Sequence, residues 1–150
     1  MTFEEKVTWV AAVVIAAVSA VYFWVVFSQL GEVPITEIAY QPALIVSVVA
    51  SIVLTIVASI VVASAAAISA EITGSGSADD IGRTDERDAT IGRRGELVGY
   101  YVSSVGVVIA LGLTMIEYDY FWIANALYAT FVLASLVSSA VKLVAYRRGF

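Results

Sequence analysis

The sequence predicts an all-α integral membrane protein, a single-domain bundle of four transmembrane helices. Three observations carry that reading. Of the 150 residues, 61% are hydrophobic and only 14% charged, and the mean hydropathy is +0.93, whereas a soluble domain is roughly half apolar and a quarter charged. Four stretches, Val7 to Leu30, Ile38 to Ala70, Leu97 to Ile116 and Tyr120 to Val141, contain no Asp, Glu, Lys or Arg. Each is long enough to cross a hydrocarbon layer of about 30 Å, which takes about 20 helical residues. Finally, all 8 basic residues fall outside these stretches, where a single orientation places them on one side.

Backbone groups find no water in lipid, so spans of this composition are read as helices, and none shows the alternation of a barrel strand. The first helix is expected over about 7–30. Val18-Ser19-Ala20 resembles a leader cleavage site, but Glu4 and Glu5 outweigh Lys6, the wrong charge for a leader, and apolar sequence continues past it. The stretch is therefore read as a retained span. The second helix is expected over about 42–71, opening at Gln41-Pro42, where proline suits a first turn, and its surplus length predicts tilt or an extension into the cytoplasm. Thr73-Gly74-Ser75-Gly76-Ser77-Ala78 opens a flexible linker over about 73–83. Thr84 is the expected cap of a third helix over about 85–116, with Asp85 and Glu86 in the first turn, where negative charge complements the helix dipole. The fourth is expected over about 120–146, past Lys142, whose stem can run along lipid.

Short cytoplasmic loops retain Lys and Arg. With both termini inside, Lys6, Arg83, Arg87, Arg93, Arg94, Lys142, Arg147 and Arg148 are all cytoplasmic, and the external loops carry only Glu32, Glu37, Glu117 and Asp119. The expected location is the cytoplasmic (inner) membrane, multi-pass, N-in and C-in, with the ends of helices two and three extending into the cytoplasm. Tyr118, Tyr120, Phe121 and Trp122 are expected to form an interfacial belt, matched by Trp24 and Phe27 on the first helix. Arg93, Arg94, Lys142, Arg147 and Arg148 are read as anchors that meet lipid headgroups.

Helices in a bilayer associate through close packing, which favours small residues at contacts. On the third helix Gly92, Gly95, Gly99, Ser103, Gly106 and Ala110 recur every three or four residues and share one face. Ser47, Ser51, Thr55, Ser59 and Ala63 form a second line, and Ala126, Thr130, Ala134 and Ser138 a third. These faces serve either packing within one chain, the favoured reading, or a homo-oligomer interface.

The polar inventory excludes several functions. With no His and no Cys, thiol catalysis, disulfides and soft metal sites are ruled out. No span contains an acidic or basic residue, which argues against proton-coupled transport. Asn125 is read as a structural hydrogen-bonding group. No nucleophile, base or carboxylate constellation stands out, so neither an enzyme nor a cofactor is expected. Asp79, Asp80, Asp85, Glu86 and Asp88 are interleaved with arginines, which reads as solvated charge rather than a metal site. A net charge of -5 and a pI of about 4.5 lack the basic footprint that nucleic acid requires.

The segment before the third span is distinctive. Asp85-Glu86-Arg87-Asp88, then Ile91, then Gly95-Glu96-Leu97-Val98-Gly99-Tyr100-Tyr101 resembles uncharacterised small prokaryotic four-helix membrane proteins in which an acid-x-Arg-Asp-x-x-Ile motif leads into the third helix. Met1-Thr2-Phe3-Glu4-Glu5-Lys6, Phe121-Trp122-Ile123-Ala124-Asn125-Ala126 and Leu143-Val144-Ala145-Tyr146-Arg147-Arg148-Gly149-Phe150 are also similar to members of that group. Such proteins often accompany helix-turn-helix regulators, so the resemblance implies a regulatory or sensory role and brings no catalytic residue. The expected function is a non-enzymatic interaction module that docks a cytoplasmic regulatory protein through Arg83, Asp85, Glu86, Arg87, Asp88 and Ile91. Membrane lipids and a second copy of the chain are the other expected partners. The alternative is an oligomeric pore or small-solute transporter lined by Ser47, Ser51, Thr55 and Ser59, unless these hydroxyls bond back to their own helix.

Overall fold

The computed structural model describes residues 2–73 and 86–148. They form four α-helices, α1 (Phe3–Phe27), α2 (Tyr40–Thr73), α3 (Glu86–Met115) and α4 (Tyr120–Arg148), with one 3-10 turn at Ile35–Glu37. Each helix is long and apolar enough to cross a membrane, the make-up of a multi-pass membrane protein.

The first helix starts earlier than its apolar run because it is capped. Thr2 is extended and its side chain accepts a hydrogen bond from the Glu5 amide at 3.2 Å, while Glu4 and Glu5 occupy the positive end of the dipole. It ends at Phe27, and the chain then turns at Gly31, whose φ of 92° is one that glycine adopts without strain. Pro42 sits in the first turn of α2, a helix of 34 residues. At 1.5 Å per residue it spans about 51 Å, well beyond a hydrocarbon layer of about 30 Å. The expected linker and the Thr84 cap lie outside the described residues.

A Schellman motif closes α3. The Tyr118 amide donates to the Leu113 carbonyl at 3.0 Å and the Glu117 amide to that of Thr114 at 3.1 Å, with Glu117 left-handed at φ 53°. Asp119 then begins α4, its carbonyl accepting from the Trp122 amide at 2.9 Å.

The helices pack in the order α2, α1, α4, α3, and α2 and α3 make no comparable contact among the described residues. The bundle is therefore open between its two outer helices. Its termini end carries the starts of α1 and α3 and the end of α4; the opposite, loop end carries residues 28–39 and 116–119.

The main apolar cluster lies toward the loop end and joins Tyr22, Val26, Ile38, Phe121 and Tyr128. Tyr22 and Tyr128 meet edge to face at 4.7 Å between ring centroids, and Tyr40 and Phe121 at 5.3 Å, the offset geometry that ring quadrupoles favour. One expectation is corrected here. Phe121 does not join the interfacial belt that its sequence neighbours suggest: it is 2% exposed and fills this cluster, whereas Trp24 at 78% and Tyr120 at 83% face outward.

Candidate functional site

The small-residue face of α3 is spent on α4. Gly95, Gly99, Gly106 and Ala110 are buried. A Cβ added at Gly99 would meet the Ala134 carbonyl oxygen and Ser138 Cβ at 3.2 Å each, and one at Gly106 would overlap Thr130. The lines expected on the two helices thus meet each other within one chain. Gly92 has open space around it instead, and the Ser103 hydroxyl donates to the Gly99 carbonyl at 2.7 Å. At Gly95 the missing side chain leaves room for Lys142, whose Cε would lie 2.7 Å from an added Cβ. The Lys142 stem crosses this gap and its Nζ pairs with Glu96 Oε1 at 3.5 Å.

The expected docking segment begins where α3 begins. Arg83 and Asp85 lie outside the described residues. Glu86 and Asp88 occupy the first turn, where the unpaired amides favour negative charge. Ile91, only 1% exposed, and buried Gly95 one turn on turn inward and seat the helix. Ile91 is therefore a packing residue rather than part of the accessible surface. Asp88 is half-buried beside the Tyr146 hydroxyl, with Glu4 and Arg87 nearby. What remains outward is Glu86, Arg87, Thr90, Arg93 and Arg94.

The neighbouring helix ends complete this face. The Arg147 guanidinium lies over the Trp9 ring, 5.7 Å from its centroid, a cation–π distance. Arg148 is exposed beside it. Trp9 and Tyr146 carry no sequence signal for these contacts, since each pairs with a partner remote in the chain.

Within the spans, Asn125 is held from both sides. Its Oδ1 accepts from the Tyr22 hydroxyl at 2.9 Å and its Nδ2 donates to the Phe121 carbonyl at 2.8 Å, which satisfies a buried amide. Ser47, Ser51 and Ser59 donate back to the carbonyls of Leu44, Ser47 and Thr55 at 2.8, 2.8 and 2.7 Å, but the Thr55 hydroxyl makes no such bond among the described residues. Among those residues no group of three carboxylates is placed to hold a metal.

Fold and surface together define a four-helix membrane-type protein with one densely charged end. No family model, curated protein or solved structure matches the chain.

Proposed function

We propose that the protein is a non-enzymatic, multi-pass protein of the cytoplasmic membrane, N-in and C-in, that presents its Arg83 to Arg94 segment to a cytoplasmic regulatory partner. The observation that carries this reading is the seating of the first turns of α3. Ile91 and Gly95 are buried while Glu86, Arg87, Thr90, Arg93 and Arg94 face outward, so a charged surface stands on a fixed support. Such surfaces steer and select partners through electrostatic complementarity. The distribution of Lys and Arg supports the orientation, and the resemblance of the acid-x-Arg-Asp-x-x-Ile motif to proteins accompanying transcription regulators supports the regulatory role. The docking reading is preferred to a pore because Ser47, Ser51 and Ser59 satisfy their hydroxyls on their own backbone and so have no need of a wet path.

The test is crosslinking and pull-down from native membranes with the full chain and with an Arg87→Glu, Arg93→Glu variant. Both positions point outward, so helical content is expected to be unchanged, and Lys6, Arg94, Lys142, Arg147 and Arg148 keep the positive charge from which the orientation is read. A partner captured by the wild type and lost on charge reversal supports the reading. An identical partner set in both, or no partner in either, defeats it.

A further inference from the structure

A groove of about 490 Å³ opens between α2 and α4, with Ile15 of α1 at its base. Its walls are mainly apolar, formed by Ile52 on α2 and Phe131 on α4, and no charged residue lines it. Four hydroxyl-bearing side chains also line it, Ser51, Thr55, Tyr128 and Ser135, and Ser51 donates back to the Ser47 carbonyl. The hydroxyls of Thr55, Tyr128 and Ser135 make no hydrogen bond among the described residues. That sets them apart from Ser19, Ser51, Ser103 and Thr130, each of which donates to a carbonyl four residues earlier, the usual recourse of a hydroxyl in an apolar helix. Tyr128 has no such recourse, because its phenol cannot reach its own backbone. The residue is only 8% exposed. Every fully enclosed polar atom of the described residues has a partner, so the unpaired Tyr128 hydroxyl is not fully enclosed, and Tyr128 is among the residues that line the groove.

Depth makes this informative. Counted at 1.5 Å per residue from the starts of α2 and α4, Tyr128 lies about 12 Å and Thr55 and Ser135 about 22 Å from the loop end. All three fall within a hydrocarbon layer of about 30 Å, where unpaired donors are costly and bulk water is absent. An acyl chain would fill the volume and leave the Tyr128 donor unmet, and would give Thr55 and Ser135 no acceptor beyond their own backbone. An ion would find no countercharge. The fitting occupant has an apolar body and neutral acceptor oxygens. Tyr128 and Ser135 are two turns apart on α4, about 10 Å along its axis, which calls for acceptors at opposite ends of a short body. Phe131, between them, offers an aromatic wall for a flat ring.

We propose that this groove binds a neutral, membrane-dissolved molecule with opposed carbonyl oxygens, of the quinone class, Tyr128 donating to one carbonyl and Thr55 and Ser135 to the other. The site is independent of the docking surface and stands or falls separately from it.

The experiment titrates the purified full chain in nanodiscs with a decyl-substituted benzoquinone and, in parallel, with decylbenzene, which has the same tail and no carbonyl. The expected result is saturable one-to-one binding of the quinone, at least about tenfold tighter than decylbenzene, as the loss of two or three hydrogen bonds implies. Tyr128→Phe, Thr55→Val and Ser135→Ala, each close to isosteric, should each weaken quinone binding by about 3- to 10-fold and leave decylbenzene unaffected. Equal binding of the two probes, or quinone affinity unchanged in all three variants, overturns the proposal. So does an efficient disulfide between copies at Thr55→Cys in native membranes, which would show that a second chain fills the groove.

Discussion

Gly106 and Gly92 belong to one stripe in the sequence, and the structure predicts that alanine at these two positions acts with opposite signs. A Cβ at Gly106 would stand 2.5 Å from Thr130 Cβ and closer still to both branches of that side chain, whereas carbon atoms rest at about 3.5–4.0 Å. Relief requires α3 and α4 to part by about 1 Å, or Thr130 to rotate and give up its bond to the Ala126 carbonyl at 2.8 Å. Overpacking of this kind costs about 1–3 kcal/mol, and the tight case here places Gly106→Ala in the upper half of that range. Replacing a helical glycine returns about 1 kcal/mol of propensity, so the net loss is about 1–2 kcal/mol. Gly92 has nothing within 4 Å of the added carbon, and there Gly92→Ala gains up to about 1 kcal/mol.

The assay is equilibrium unfolding in mixed micelles followed by circular dichroism, with a double-mutant cycle of Gly106→Ala and Thr130→Gly. Removing the Thr130 side chain opens the space, so a coupling of at least about 1 kcal/mol is expected for residues in direct contact. A neutral or stabilising Gly106→Ala, or additive behaviour in the cycle, would refute the packing argument. Loss of a dimer with the monomer intact would instead assign the stripe to an oligomer interface.

Three further outcomes are expected. Tyr22→Phe leaves Asn125 Oδ1 without its donor and should destabilise the chain by about 1 kcal/mol; Asn125→Leu should add little to it when the two are combined, which unfolding of the double variant checks. Glu117→Gly removes the strain of a left-handed non-glycine residue at φ 53° and should stabilise the α3–α4 turn by up to about 1 kcal/mol, measured by the same unfolding. At Lys142 the stem matters more than the charge, because its partner Glu96 is 75% exposed and such pairs contribute little; Lys142→Met should therefore keep the stability that Lys142→Ala loses, and high salt should leave the wild type nearly unchanged.

Helix existence could be read from composition because lipid allows the backbone so few options, and the four spans fell within a few residues of their expected places. Ends were harder where a single side chain decides them. Thr2 capping Glu5 carries α1 back to Phe3, ahead of the apolar run that located it. The α3 and α4 small-residue lines were visible as spacing, but their pairing was not, because periodicity identifies a face and never its partner. Phe121 illustrates the converse. Its neighbours Tyr120 and Trp122 suit an interface, and only the helix rotation sends Phe121 inward onto Tyr40 and Tyr22's cluster. The groove hydroxyls were partly in view as the Ser47 to Ser59 line, yet Ser47, Ser51 and Ser59 bond to their own helix and the unsatisfied set draws Tyr128 and Ser135 from another. Which hydroxyl turns back on its backbone is a rotamer choice, and sequence spacing carries no information about it.

Helix α4 is the element on which these features converge, because it alone packs against both α1 and α3. Phe121, Asn125 and Tyr128 anchor the loop-end cluster, Thr130, Ala134, Ser138 and Lys142 receive the glycine face of α3, and Tyr146 and Arg147 meet Asp88 and Trp9 at the termini end. Its polar groups are therefore shared among neighbours, so a shift of α4 along its axis would disturb all three sets of contacts together. The outward face of α2 is the opposite case. Ile45, Val49, Val53 and Leu54 are exposed and touch no comparable partner, so apolar exchanges there change only what faces lipid. Sensitivity to substitution should accordingly follow contact with α4 rather than hydrophobicity. α2 contributes to it chiefly where Tyr40 meets Phe121 edge to face.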